Sequence, residues 1–381
     1  MAILDFGSQY THLIARRVRE CGIYSEIVAY NISASRLIER LPKAIILSGG
    51  PASVIKKGPV CDKGVFNIGI PILGICYGAQ LMAKNLGGRV AKAKAREYGK
   101  AILKIKSKKN IFKGLLEKEM VWMSHGDKIT KLPCGFRIIG STDNAYVAAM
   151  EDNARRFYGF QFHPEVVHTP KGRKVLKNFL YYIANCSSSW SMHSFVKDSI
   201  KELREKIGKE KVLCALSGGV DSSVLTMLLH KAIGKNLIAI FINNGLLRKG
   251  EERLVQQRFK SHYHINLKTV DAKDIFLKAL RNVKDPEKKR RIIGKVFIEV
   301  FQRQAKRLGR IKFLAQGTLY PDVIESRSAF GGPSAIIKTH HNVGGLPPNL
   351  GFELIEPLKS LFKDEVREVG KELGLPDVLI Y

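Results

Sequence analysis

Short apolar runs alternate along the chain with stretches whose apolar positions recur at helical spacing. The runs predict strands over Ala2–Asp5, Ile23–Ala29, Ala44–Leu47, Ile70–Ile75, Ala101–Ile105, Tyr146–Met150 and Arg156–Phe162. Between the first two, Leu13, Ile14 and Val18 mark the apolar face of a helix over Tyr10–Glu20. A helix around Lys171–Ala184 closes this half. Strand, helix, strand and then further strands predict an α/β domain on a mixed sheet.

The Ser-rich run Cys186-Ser187-Ser188-Ser189-Trp190-Ser191 breaks the pattern and reads as a linker. A second strand–helix–strand start follows. It comprises helix Ser194–Ile207, strand Val212–Leu216, a glycine loop, helix Ser222–Ile233 and strand Leu237–Ile242. Phe313–Ala315 predicts one more strand, ahead of a turn-rich stretch from Gln316 to Pro348. Helix Lys363–Leu373 stops at Gly374, with Pro376 behind it. The expected organisation is one domain over 1–185, a linker over 186–193 and a second domain over 194–381. A length of 381 residues, 45% of them apolar, suits two or three cores.

Charge changes this picture little. The net charge of +30 divides into +17 over residues 1–200 and +13 over 201–381, without a basic tail. That spread points to a Lys-rich surface rather than a nucleic-acid site. No stretch of ~18 uncharged apolar residues predicts a membrane span. The start, Met1-Ala2-Ile3-Leu4-Asp5, reads as a first strand rather than a leader, so a cytoplasmic location is expected. The six cysteines show neither C-x-x-C pairs nor zinc-ligand spacing.

Candidate chemistry begins at Gly74-Ile75-Cys76-Tyr77-Gly78, which follows an apolar strand and opens a helix. It is the nucleophile-elbow pattern with Cys in place of Ser. The turn lifts the thiol above the sheet, and the helix N-terminus favours thiolate. The N–H of Tyr77 can face a developing oxyanion. A base and its orienter stand at another strand end, in Gly159-Phe160-Gln161-Phe162-His163-Pro164-Glu165. His163 and Glu165 are two apart, so on extended backbone they share a side. Leu47-Ser48-Gly49-Gly50-Pro51 also follows a strand, and its glycine N–H groups can complete an oxyanion hole.

These segments, with Leu4-Asp5-Phe6-Gly7-Ser8-Gln9-Tyr10, resemble the class I glutamine amidotransferase signatures. The resemblance implies a flavodoxin-like domain in which Cys76 forms a glutamyl thioester and releases ammonia. It also implies that Gln80 and the Ser124-His125 backbone help bind glutamine.

In the second half, Ser217-Gly218-Gly219-Val220-Asp221-Ser222-Ser223 links a strand to a helix. Successive N–H groups and the helix N-terminus form an anion cradle there, with hydroxyls from Ser217, Ser222 and Ser223. The G-K-[ST] ending of a Walker loop is absent. Asp221 would repel phosphate unless Mg²⁺ stood between them. The run resembles the pyrophosphate loop of the ATP pyrophosphatases, which implies an adenine nucleotide alpha hydrolase-like fold. That likeness leaves NAD synthetase, asparagine synthetase and tRNA-thiolating enzymes open.

Further segments narrow the choice. Phe241-Ile242-Asn243-Asn244-Gly245, Arg290-Arg291-Ile292-Ile293-Gly294, Tyr320-Pro321-Asp322-Val323-Ile324-Glu325-Ser326 and Lys338-Thr339-His340-His341-Asn342 are similar to the GMP synthase family. The fold class expected is therefore two doubly wound α/β domains. The resemblance implies that ATP adenylates xanthosine monophosphate (XMP), and that ammonia from glutamine then gives GMP, AMP and pyrophosphate. Arg290 and Lys338 are the candidates for XMP, and Asp221, Asp322 and Glu325 for Mg²⁺. Two departures stand out. Asn243 replaces the family's usual Asp. The chain also ends at Leu379-Ile380-Tyr381, where the family continues into a dimerisation domain. The expectation is a homodimeric family whose dimerisation domain, which this chain lacks, normally completes the XMP site; the alternative is a truncated glutaminase whose nucleotide-binding domain does not complete GMP synthesis.

Overall fold

The computed structural model describes residues 1–309, 311–326 and 352–381, without the side chains of 94–96 and 325–326. It divides into two compact units, Met1–Trp190 and Ser191–Tyr381.

The first unit is built on one sheet. Its strands are β1 (Ala2–Asp5), β2 (Glu26–Ala29), β3 (Ile45–Leu47), β4 (Ile72–Ile75), β5 (Arg89–Ile105), β6 (Lys118–Lys131), β7 (Arg137–Ser141), β8 (Ala149–Asp152) and β9 (Phe157–Phe160). Helices α1 (Thr11–Arg19), α2 (Ala34–Ile38), α3 (Tyr77–Asn85) and α4 (Gly172–Asn178) connect or cover them. The sheet order is β2-β1-β3-β4-β9-β8-β7-β5-β6. From β2 to β9 the strands are parallel, and from β9 onward they are antiparallel. The sheet is mixed, as the pattern of runs predicts. β3 and β4 are buried on both faces, which is why they read as unbroken apolar runs. β5 and β6 differ: they form a long ribbon in which buried and exposed residues alternate along β6. Of this ribbon, the pattern of apolar runs predicts only the Ala101–Ile105 end.

The Ser-rich segment lies against the first unit rather than running free. Gly22 O accepts from the N–H groups of Ser189 and Trp190, and the Trp190 ring meets Tyr24 at 4.9 Å. The Arg19 guanidinium sits 5.2 Å from the centre of each of these rings, within cation–π reach of both.

The second unit starts with α5 (Met192–Ile207), whose N-terminus Ser191 and Ser194 close with a reciprocal capping box. Strands β10 (Val212–Ala215), β11 (Leu237–Asn243), β12 (Leu267–Asp271), β13 (Phe313–Ala315) and β14 (Glu353–Ile355) follow. They pair in the order β12-β11-β10-β13-β14, all parallel. Helices α6 (Val220–Ile233), α7 (Glu251–Val255), α8 (Lys273–Leu280), α9 (Pro286–Arg307), α10 (Tyr320–Ser326), α11 (Lys363–Glu372) and α12 (Asp377–Ile380) complete the unit. The strand order reverses at β10, between β11 and β13. In open α/β sheets ligands bind beyond the carboxyl ends of strands at such a switch. α10 forms inside the stretch expected to be turn-rich. No described helix is long and apolar enough to cross a membrane.

Candidate active sites

The cysteine elbow owes its shape to what its glycines touch. A Cβ on Gly74 would stand 2.7 Å from the Ala79 backbone, and one on Gly78 2.3 Å from Leu47 O. Side chains at either position would push α3 away from β4 and β3. Between them Cys76 takes φ 50°, a left-handed value that costs a non-glycine residue of order 1–3 kcal/mol. Its N–H donates to Phe160 O at 2.6 Å, which ties the elbow to β9. Tyr77 opens α3, where first-turn N–H groups have no intrahelical acceptor. The Tyr77 side chain is structural: its hydroxyl donates to Pro59 O at 2.7 Å, and burial pushes its pKa up to about 12.

Strand β9 delivers the base. His163 Nδ1 lies 2.7 Å from Glu165 Oε1, and both side chains are buried. Burial alone pulls the His163 pKa down. The Glu165 carboxylate and hydrogen bonding and charge from Cys76 outweigh it, holding the imidazole well above its ordinary range. The imidazole therefore stands between Cys76 and Glu165, the order a nucleophile–base–orienter triad needs. At two other buried thiols burial dominates instead. Burial raises Cys61 to about 11 and Cys214 to about 12.

Of the other predicted groups, Gly49 and Ser124 stand against these residues, while Gln80 and His125 lie on the adjoining α3 and β6. A Cβ on Gly49 would lie 3.2 Å from His163 Cε1, so the loop after β3 passes directly beside the base. Ser124 and His125 reach the site on β6. Cys76 Sγ is 3.5 Å from Ser124 O, and His163 N–H donates to Trp122 O at 3.0 Å. His125 is buried with Nε2 3.3 Å from Glu97 Oε2, at an angle that makes no hydrogen bond. Gln80 is buried on α3 and donates to Asp127 O at 2.9 Å. Sequence reasoning missed Asp127, which accepts the Ser53 hydroxyl, and Thr169, which accepts from Trp122 N–H at 3.0 Å. Neither carries a local signal.

In the second unit the loop after β10 folds on its own hydroxyls. Gly218 has φ +84°, and Gly219 precedes the first turn of α6. Ser217 N–H donates to Ser222 Oγ at 3.1 Å, and the two hydroxyls lie 2.9 Å apart. Ser222 in turn donates to Gly219 O at 3.0 Å. The N–H groups of Val220, Asp221 and Ser222 begin α6 beyond them. Asp221 Oδ2 accepts from Lys363 Nζ at 2.6 Å, a lysine 142 residues further on. Asp221 Oδ1 and Ser223 Oγ are buried without a hydrogen-bond partner.

Asn243, at the end of β11, is buried and bonded through both ends of its side-chain amide. Its Nδ2 donates to the Glu252 carboxylate, and its Oδ1 accepts Gly245 N–H at 3.0 Å. A carboxylate, that of Glu252 on α7, thus stands beside Asn243.

The remaining predicted residues are less gathered. Arg290 is exposed on α9. Asp322 Oδ2 accepts Leu319 N–H at 3.2 Å at the start of α10. The Glu325 side chain, Lys338 and the His340-His341 pair lie outside the described residues. Among the described residues no group of three His, Cys, Asp or Glu side chains gathers as a metal site.

Comparison with known proteins agrees with this division. Residues 2–183 match the family described as Glutamine amidotransferase class-I, and residues 192–304 match the PP-loop domain. A glutamine-hydrolysing GMP synthase of Caldanaerobacter subterraneus subsp. tengcongensis is 54% identical over 380 residues, covering 100% of this chain and 74% of that protein. One from Acetivibrio thermocellus is 55% identical over 380 residues, covering 99% and 74%. A solved chain from Thermoplasma acidophilum, described as belonging to a GMP synthase, is 36% identical. It covers 48% of this chain and 92% of its own length, with a TM-score of 0.44. With similarity running through both units, the chain belongs to the glutamine-hydrolysing GMP synthase family.

Proposed function

We propose that the first unit hydrolyses glutamine at Cys76 and that the second uses ATP to activate XMP for amination to GMP. The observation that carries the first half is the buried His163–Glu165 pair, held beside a cysteine in strained elbow geometry. The Cys76 thiolate attacks the glutamine carboxamide carbon. The N–H groups of Tyr77 and Gly49 receive the oxyanion. His163, carrying the proton taken from Cys76, gives it to the leaving nitrogen, and ammonia departs from a glutamyl thioester. His163 then takes a proton from water, and attack of that water releases glutamate and restores the thiol. Glu165 keeps the imidazole in the tautomer and orientation both steps need. Gln80 and the Ser124-His125 backbone hold the amino-acid end of the substrate.

In the second half, the Ser217–Ser223 loop and the first turn of α6 accept the ATP phosphates. The XMP C2 oxygen attacks the α-phosphorus, and pyrophosphate leaves. Ammonia then displaces AMP from C2. Arg290 and Lys338 are the groups we assign to XMP. Asp221 suits a divalent cation, since its buried Oδ1 is an orphaned acceptor beside the phosphate loop. Mg²⁺ there would neutralise phosphate charge, with Asp322 and Glu325 as further candidate ligands.

The test is to supply glutamine, ATP, Mg²⁺ and XMP and follow glutamate, GMP and pyrophosphate. Cys76→Ala should lose glutamine-supported synthesis and keep synthesis from free ammonia. Glutamine use by the Cys76→Ala protein would refute the triad. Ammonia-supported turnover of ATP without GMP would refute the XMP assignment.

A further inference from the structure

The base and its orienter sit on irregular backbone. His163-Pro164-Glu165 follows β9 and precedes α4, just beyond an isolated β-bridge that pairs Phe162 with Met123. A misplacement of 1 Å can cost ~10²-fold in rate, so the loop beyond the bridge must also be held.

Thr169 does so through one buried hydroxyl. Oγ1 donates to His163 O at 2.7 Å and accepts from Trp122 N–H at 3.0 Å. Since His163 N–H already donates to Trp122 O at 3.0 Å, the two backbones are joined twice, once directly and once through the hydroxyl. Trp122 stands two residues before Ser124, whose carbonyl is 3.5 Å from Cys76 Sγ. Base loop and substrate wall are thereby fixed to each other by a β-bridge between Phe162 and Met123 and by one side chain beside it. Two further contacts close the loop from other sides. A Cβ on Gly172, the first residue of α4, would stand 1.8 Å from Pro164 O, so the helix start presses directly on the middle of the loop. Arg17 Nε on α1 donates to Glu165 O at 3.1 Å.

We propose that Thr169 is a positioning residue of the glutaminase, whose hydroxyl sets His163 and the Ser124-bearing strand as one unit facing Cys76, with Gly172 as the backstop. It touches neither substrate nor reacting atoms. This rests on the glutaminase reading above. Valine at 169 keeps the shape and removes both hydrogen bonds, leaving the His163 carbonyl and Trp122 amide unmatched. Serine keeps both bonds.

The experiment compares parent, Thr169→Val and Thr169→Ser. Glutamate release should fall in kcat about tenfold or more for Thr169→Val, with a rise in KM, because both base and binding wall shift. Thr169→Ser should stay within about threefold of the parent, and synthesis from free ammonia should be unchanged in both. Amide hydrogen exchange at Trp122 and His163 should quicken about tenfold in Thr169→Val alone. Parent-like glutamate release or exchange by Thr169→Val would overturn the proposal. So would a Thr169→Ser protein as impaired as Thr169→Val, or a parallel fall in ammonia-supported synthesis. A parent that releases no glutamate refutes the glutaminase reading instead, and the exchange data still decide what Thr169 holds.

Discussion

Glu165→Gln isolates charge from geometry in the triad. Glutamine has the same size and offers an oxygen to His163 Nδ1–H, so orientation is kept and only the carboxylate charge goes. The pair is 2.7 Å apart and buried. At an effective dielectric of ~20, unit charges ~4 Å apart attract by about 4 kcal/mol. With 1.4 kcal/mol for each factor of ten, the imidazolium–thiolate form of the site loses up to ~10³ in population. Glutamine kcat/KM near neutrality should therefore fall by about 10²–10³. The sign with pH follows from the same balance. In the parent, Glu165 and Cys76 overcome burial and raise the His163 pKa. Its contribution to stability is thus fully present below the unfolded value of ~6.5 and fades as pH rises through the raised folded pKa. In the variant burial stays and the main offset is gone, so that pH dependence should flatten or invert. Glutamate release and thermal unfolding, both followed from about pH 6 to 9, read the two effects. If Glu165→Gln keeps more than about a tenth of parental kcat/KM, the carboxylate acts by orientation alone and the electrostatic reasoning fails.

Three other outcomes are expected. Gly78→Ala drives a Cβ into Leu47 O and should abolish glutamine use, measured as glutamate release, while ammonia-supported synthesis persists. Asn243→Asp sets two carboxylates in contact where Asn243 now donates to Glu252. It should destabilise the protein by about 2–4 kcal/mol at neutral pH, seen in denaturant unfolding. A carboxyl so placed has a raised pKa, so the loss should vanish on acidification, and Glu252→Gln should relieve it at neutral pH. Asp221→Asn removes the charge beside the phosphate loop and should raise the Mg²⁺ concentration needed for pyrophosphate release by at least about tenfold.

What the sequence revealed depended on how locally each feature is encoded. Cys76, His163 and the Ser217 loop all follow short, largely buried strands, and glycine or, after His163, proline marks their turns. The β5–β6 ribbon was mostly invisible because Arg89–Ile105 interleaves Lys and Ala, with one face in water and few β-branched residues. The 22-residue α9 was hidden by its run of Lys and Arg. Its signals were present all the same. Asp285 caps it, Pro286 starts it, and Val296, Val300, Phe301 and Ala305 recur at helical spacing on the buried side. Contacts that join distant segments could not be read at all. Lys363 meets Asp221 only because α11 is brought to the loop by β14, and Glu252 meets Asn243 only because α7 turns back beside β11.

The left-handed backbone at Cys76 gives the chain a built-in conflict between durability and use. Glycine occupies φ 50° without penalty, so Cys76→Gly should leave a more stable protein, by about 1 kcal/mol, that cannot touch glutamine. Selection for thermal robustness alone would discard the thiol first. A cysteine kept at this position therefore records selection for turnover, and stabilising the chain by consensus or by screening for melting temperature has to leave residue 76 out.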